Sequence, residues 1–132
     1  MSKAISAKQY RLLSMPYAQC RVYIKRFENG GVSVEFISYE TSVLYVTYNP
    51  YVGAALYCSG LYSTTTSRHI NRFTSELFGY SKYHECKSAF FDSARLATPG
   101  WYYVCNVEPE RLFKMCERYE SEARGYDGGI KL

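Results

Sequence analysis

Two stretches of strict alternation, each folded back by a turn, constrain this chain more than any other feature. From 20 to 27 (CRVYIKRF), Cys20, Val22 and Ile24 fall on one side and Arg21, Tyr23, Lys25 and Phe27 on the other, the period of two that a half-buried strand requires. Glu28-Asn29-Gly30-Gly31 tolerates positive φ, and 32–38 (VSVEFIS) alternates again with Val32, Val34 and Phe36 inward. The pair predicts a hairpin. A third strand over 42–48 (SVLYVTY) runs into Asn49-Pro50-Tyr51-Val52-Gly53, and a fourth follows at 54–59 (AALYCS). The Pro and Gly between them mark a second reversal.

The remaining segments supply helices to cover such a sheet. Thr64, Thr65, Thr66 and Ser67 are N-cap candidates, after which Ile70, Phe73 and Leu77 recur at helical spacing until Gly79. Ser81 can cap a second helix with Tyr83, Cys86, Phe90 and Ala94 on one stripe, ending before Thr98-Pro99-Gly100. Trp101 to Asn106 (WYYVCN) reads as a dense, buried strand. Pro109 suits a first helical position, with Leu112, Cys116, Tyr119 and Ala123 as the apolar stripe and Gly125 as the stop. Residues 6–15 (SAKQYRLLSM) are helix-compatible and end before Pro16, which predicts a short N-terminal helix. A chain of 132 residues, 47% hydrophobic and 21% charged, has the size and apolar content for one domain with its own core. The expectation is an α+β fold: a single domain over 1–132, with an antiparallel sheet of about five strands (two hairpins plus a late strand) and roughly three to four helices packed on one face. Its segments are a basic N-terminal helix and strand (1–36), a hairpin and helix module (37–80), a helix-strand-helix (81–125) and a loose tail (126–132).

Composition excludes several classes. No window offers the roughly 18–20 apolar residues of a membrane span, and no apolar h-region follows Lys3, so a soluble, unexported protein of the cytoplasm is expected. Five cysteines at 20, 58, 86, 105 and 116, with no C-x-x-C, fit reduced thiols rather than a disulfide frame. The net charge of +4 is concentrated: residues 1–36 carry Lys3, Lys8, Arg11, Arg21, Lys25 and Arg26 against Glu28 and Glu35, whereas the rest of the chain balances. A basic patch for phosphate or for an acidic partner follows, and an acidic DNA mimic does not. Tyrosine is abundant at 15 positions, more rings than a core of this size needs, so some reach the surface.

Residues 37–80 carry a further pattern: Ile37-Ser38-Tyr39-Glu40-Thr41-Ser42-Val43, a hairpin turn, then Gly60-Leu61-Tyr62-Ser63-Thr64-Thr65-Thr66-Ser67-Arg68-His69-Ile70-Asn71-Arg72-Phe73. It resembles a family of small uncharacterised bacteriophage and plasmid proteins with a Ser-Tyr-x-Thr-x-Val strand and a Tyr-Ser-x-Thr-Thr-x-Arg-His-Ile turn. The resemblance implies a mobile-element origin, not a reaction. This chain differs in its longer Asn49–Gly53 loop and in extra segments on both sides.

Several constellations bear on function. Thr65, Thr66, Ser67 and His69 at a helix start, with Arg68 and Arg72 adjacent, could hold an anion. Equally, one hydroxyl is the N-cap, His69 bonds the preceding hairpin, and Arg72 pairs with Glu76. Arg21, Tyr23, Lys25 and Phe27 form a basic-aromatic strand face suited to single-stranded nucleic acid, unless Lys25 pairs with Glu35 and the rings are covered by the N-terminal helix. Tyr48, Tyr51, Tyr57, Tyr62 and Tyr80 are candidates for a protein interface. His84 and Cys86 lie two apart on a helix and point away from each other, so no metal site is expected, and no cofactor motif or catalytic signature appears.

These features lead to a non-enzymatic, phage-encoded or mobile-element-encoded binding protein that inhibits or modifies a host nucleic-acid machine, of the anti-CRISPR or other anti-defence kind. Its partner would be a host defence protein or that protein's nucleic-acid complex, with Arg21, Tyr23, Lys25, Phe27, Arg68, Arg72, Tyr51 and Tyr62 as contact residues. The alternatives are a nucleic-acid-binding accessory of phage replication or transcription, and a small nucleotide-binding protein using the Thr64–His69 turn.

Overall fold

Apolar residues spaced two apart recur in five segments, and pairing them in chain order puts every apolar phase on the same side. In the structure, a computed structural model that describes residues 3–59, 64–94 and 100–121, the strands are β1 (Ala4–Arg11), β2 (Cys20–Phe27), β3 (Val32–Ser38), β4 (Thr41–Asn49), β5 (Gly53–Cys58) and β6 (Tyr102–Val107). They form one six-stranded antiparallel sheet in the order β1-β2-β3-β4-β5-β6. The register sets Val22 opposite Phe36, Phe36 opposite Leu44 and Leu44 opposite Cys58, all fully buried.

Three helices among the described residues cover that face: α1 (Thr64–Phe78), α2 (Tyr83–Ala94) and α3 (Pro109–Ser121), which makes an α+β domain. The α1 stripe of Ile70, Phe73 and Leu77 is buried as its spacing predicts, and Phe73 stacks on Phe36 with ring centroids 4.6 Å apart. Phe90 of α2 meets Tyr102, and Phe113 of α3 meets Tyr48 edge-on. Ser81 caps α2 by accepting from the Tyr83 N–H. The α1 terminus closes at Gly79, whose φ of 85° a side chain would disfavour, and Arg111 donates to the Phe78 carbonyl there. Glu76 faces inward: it accepts from the Tyr119 hydroxyl at 2.5 Å and the Ser14 N–H at 2.9 Å, and so ties the segment after β1 to α1 and α3.

Two expectations are corrected. Residues 6–15 are not a helix: Ala4 to Arg11 pair with Phe27 to Arg21 as the edge strand β1. Ala, Lys, Gln and Leu are good helix formers, but β2 offers a partnered backbone edge and a core position for Tyr10, and that tertiary gain overrides a weak local preference. The sheet therefore has six strands and the described helices number three. The late strand is not buried as a whole either: it forms the other edge, with Tyr103 52% exposed and Trp101, just before it, 42% exposed. The turn at 60–63, the end of the second helix near 98, Ala123, Gly125 and the tail at 126–132 lie outside the described residues. No helix among the described residues is long and apolar enough to cross a membrane.

Candidate nucleic-acid interface on the uncovered sheet face

The second phase of each strand points away from the helices. Reading across the register, Gln9, Tyr23, Glu35, Tyr45, Tyr57 and Tyr103 occupy one row, each opposite the next. A bulge in the β5–β6 pairing at Leu56/Tyr57 sets Tyr103 opposite Tyr57, and the Tyr103 hydroxyl donates to Asn106 Oδ1. Ring centroids are 6.4 Å apart for Tyr45 and Tyr57, 5.9 Å for Tyr57 and Tyr103, and 5.7 Å for Tyr45 and Trp101. Four strand spacings separate Tyr23 from Tyr103, an aromatic row about 19 Å long.

Cations flank the β2 end of this row. Lys25 lies two residues along β2 from Tyr23, with its Nζ 6.0 Å from that ring, and Arg21 lies two residues the other way, opposite Arg11. Glu35 is the one carboxylate among the strand positions of this face. It faces Tyr23 rather than Lys25 and accepts from Ser42 Oγ at 2.8 Å, so the suggested Lys25–Glu35 pair is replaced by a hydroxyl contact. Arg21, Tyr23, Lys25 and Phe27 thus share a face that no element among the described residues covers, as alternation predicts, and with β1 in place of an N-terminal helix none of them is hidden by one. Sequence reasoning missed Tyr45, Tyr103 and Trp101. Their signal was available: each tyrosine stands in the phase opposite to the apolar positions around it.

The threonine turn is arranged differently. Thr66 and His69 are buried, and Ser38 Oγ lies 2.8 Å from His69 Nδ1 and donates to Thr66 Oγ1. Burial holds the His69 imidazole below its usual pKa, which favours the neutral ring. Ser67 Oγ donates to the Tyr83 hydroxyl at 3.1 Å, and Thr65 is exposed. Thr66 Oγ1, Ser67 Oγ and His69 Nδ1 are therefore engaged within the fold, and His69 bonds the preceding hairpin. Arg68 and Arg72 are exposed on α1, in the layer on the far side of the sheet from Arg21 to Phe27, so the two basic groups are not brought together. Arg72 does not pair with Glu76, whose carboxylate faces Tyr119, Ser14 and Arg118. Tyr51 is 89% exposed at the β4–β5 turn, Tyr48 is half-buried against Phe113, and Tyr62 lies outside the described residues.

The thiols are poor nucleophiles. Cys20, Cys58, Cys86 and Cys116 are buried and unpaired by disulfides. Burial pushes Cys20 up to about 11 and Cys116 up to about 12, and Cys86 is raised first by its hydrogen bond with Cys58 and then by burial. Cys20, Cys86 and Cys116 thus hold their protons near neutral pH. His84 is exposed while Cys86 is buried, and no three His, Cys, Asp or Glu groups among the described residues gather as a metal site would require.

Fold and face together define an α+β protein whose antiparallel sheet is covered by helices on one side and presents an aromatic, basic-flanked row on the other. Over residues 10–92 the chain matches the family model described as a family of unknown function, DUF8033, and it belongs to that family. No curated protein and no solved structure matches it. The matched span includes β2 to β5 and α1, hence Tyr23, Tyr45 and Tyr57, and stops short of Trp101, β6 and α3.

Proposed function

We propose that this is a non-catalytic binding protein that holds single-stranded nucleic acid on the uncovered sheet face. The observation that carries the reading is the single row of Tyr23, Tyr45, Tyr57 and Tyr103, joined by Trp101 and flanked by Arg11, Arg21 and Lys25. Rings on an open sheet stack with unpaired bases, at about 1–3 kcal/mol per base, while neighbouring cations meet the phosphates. A duplex hides its base faces and gains only the phosphate contacts. The test is fluorescence anisotropy of labelled single-stranded RNA, single-stranded DNA and duplex DNA with the wild type and a Tyr45→Ala/Tyr57→Ala variant. Micromolar binding of a single strand that the variant loses, with its thermal unfolding still cooperative, supports the reading. Equal binding by both proteins, or preference for duplex, refutes it.

A second reading keeps the face and changes the ligand. Here the protein is a mobile-element product that occludes a host nucleic-acid machine, of the anti-CRISPR or other anti-defence kind. The resemblance of residues 37–80 to phage and plasmid proteins supports it, as does the packing of Tyr45, Tyr57, Tyr103 and Trp101 on one another, since rigid tyrosine clusters also suit protein interfaces. A complex with one host protein that survives nuclease treatment, from a protein with no affinity of its own for nucleic acid, would select this reading over the first.

A further inference from the structure

Beside the aromatic row runs a second row of a different kind. Across the register, Ala7, Lys25, Ser33, Thr47, Ala55 and Asn106 stand each opposite the next. From β1 to β5 this row lies two residues along each strand from the aromatic one, and so about 6.8 Å from it. Apart from Lys25 its members on those strands are small, and they floor a trough with the rings of Tyr45 and Tyr57 along one side. Each tyrosine has its own neighbour there: Lys25 beside Tyr23, Thr47 beside Tyr45 and Ala55 beside Tyr57.

Two hydroxyls give the trough its chemistry. Ser33 is only 8% exposed, yet it stands in the phase that no described element covers, between Val32 and Val34, which turn into the core. Its hydroxyl has no hydrogen-bond partner among the described residues, where no fully buried side-chain polar atom lacks one, so Ser33 Oγ opens into the trough. The Thr47 hydroxyl, directly opposite, is likewise unbonded. Serine and threonine paired across strands commonly bond each other. Here both keep their donor and acceptor capacity, and a hydroxyl as deep as that of Ser33 needs a partner from outside the chain. The other flank of the aromatic row offers nothing comparable: beyond Arg21 come Ile37 and Ser42, and Ser42 Oγ donates to Glu35.

We propose that the trough takes the sugar edge of the bound strand and that Ser33 and Thr47 hydrogen-bond a ribose 2′-hydroxyl, which makes the ligand single-stranded RNA rather than DNA. A base stacked on Tyr45 sets its own sugar to one side of the ring, over Thr47 and Ser33. The 2′-hydroxyl both donates and accepts, as do the two side chains that meet it. Deoxyribose puts a methylene there and leaves Ser33 Oγ beneath the strand with nothing to bond, the mismatch that a site built for a hydroxyl rejects most strongly. Lys25, in the same row, is placed for the neighbouring phosphate, and the Glu35 carboxylate keeps phosphates off the line of the rings. The proposal rests on the nucleic-acid reading of the face and adds to it the sugar that the strand carries.

The experiment titrates one sequence as RNA, as DNA with uracil in place of thymine, and as 2′-fluoro RNA, which keeps the ribose pucker without the hydroxyl. The proteins are the wild type, Ser33→Ala, Thr47→Val, Thr47→Ser and Tyr45→Ala/Tyr57→Ala, each checked for cooperative unfolding. The wild type should bind RNA about tenfold more tightly than either other strand. Ser33→Ala and Thr47→Val should lower the RNA affinity toward that for DNA and leave the DNA affinity unchanged. Thr47→Ser, which retains a hydroxyl, should keep the preference, and the tyrosine variant should weaken all three strands by the same factor. Equal binding of RNA and DNA by the wild type overturns the trough proposal and leaves the face reading standing. So does an RNA preference shared by the 2′-fluoro strand, or kept in full by Ser33→Ala or Thr47→Val, because it then arises from sugar pucker or from elsewhere on the face. Binding of no strand overturns both.

Discussion

Replacing Lys25 by Gln is the sharpest test of whether the uncovered face meets phosphates. Three cations border the aromatic row, Arg11, Arg21 and Lys25. If each neutralises one phosphate of a single strand, log K should fall against log salt with a slope of about −2, so that affinity drops about 20-fold between 50 and 200 mM. Lys25 is the cation to remove, because its recorded contact is with the Tyr23 ring at 6.0 Å, whereas Arg21 also supports Tyr39. In Lys25→Gln the slope should shrink by about 0.7, leaving a loss of about sevenfold over the same range. Lys114→Gln is the control: Lys114 is paired with Glu110 on α3, in the helical layer, and its removal should not alter the slope. Anisotropy titrations of one oligonucleotide at four salt concentrations measure all three proteins. Identical slopes for the wild type and Lys25→Gln, or a wild-type slope near zero, would refute the placement of the phosphates.

Stability measurements probe the layer beneath. Phe73→Ala removes the ring stacked on Phe36 in the fully buried centre and should cost about 3–5 kcal/mol in urea unfolding; a loss under 1 kcal/mol would mean the helix does not seat there. Glu76→Ala strips the acceptor from the buried Tyr119 hydroxyl and from the Ser14 N–H and should cost about 1–3 kcal/mol, with faster amide exchange at Ser14 as its local mark. His69 supplies a pH dependence: burial depresses its pKa in the folded state, so the unfolded chain takes up the proton first as pH falls. Its contribution is complete above the ordinary value near 6.5 and is lost as pH drops below it toward the depressed folded value, at no more than about 1.4 kcal/mol per pH unit. The stability profile of His69→Gln should be flatter across that acid limb, and an unchanged profile would contradict a buried neutral imidazole.

The hairpins and all three described helices were legible because their residues are placed by strong, local signals. Cys20, Val22 and Ile24 keep a period of two, Ile70, Phe73 and Leu77 keep a helical one, and Ser81 caps where a serine should. Strand β1 was not legible. Its apolar residues are few, the register shifts between Ala4 and Ser6, and as an edge strand it draws its stability from a neighbour that local reading does not see. The site divides in the same way. Arg21, Tyr23, Lys25 and Phe27 were found because one strand holds them all, while Tyr45, Tyr57 and Tyr103 are united by register across three strands, a relation absent from any local window. Trp101 and Tyr103 were also disguised by their company, since an aromatic run looks like core when the sheet has no assigned open side.

The strand order carries a consequence for assembly of the protein. From β1 to β5 each strand pairs with its predecessor across a short connection, so those hairpins close small loops. Only β6 must return from beyond two helices, bringing Tyr102 back beside Cys58. That join has the greatest loop-closure cost in the sheet, and contact-order reasoning makes it the pairing that limits the rate of folding. The segment that arrives by this route is the one bearing Trp101 and Tyr103. A nascent chain can thus set Tyr23, Tyr45 and Tyr57 in line early, but its aromatic row reaches full length only once the last strand has docked.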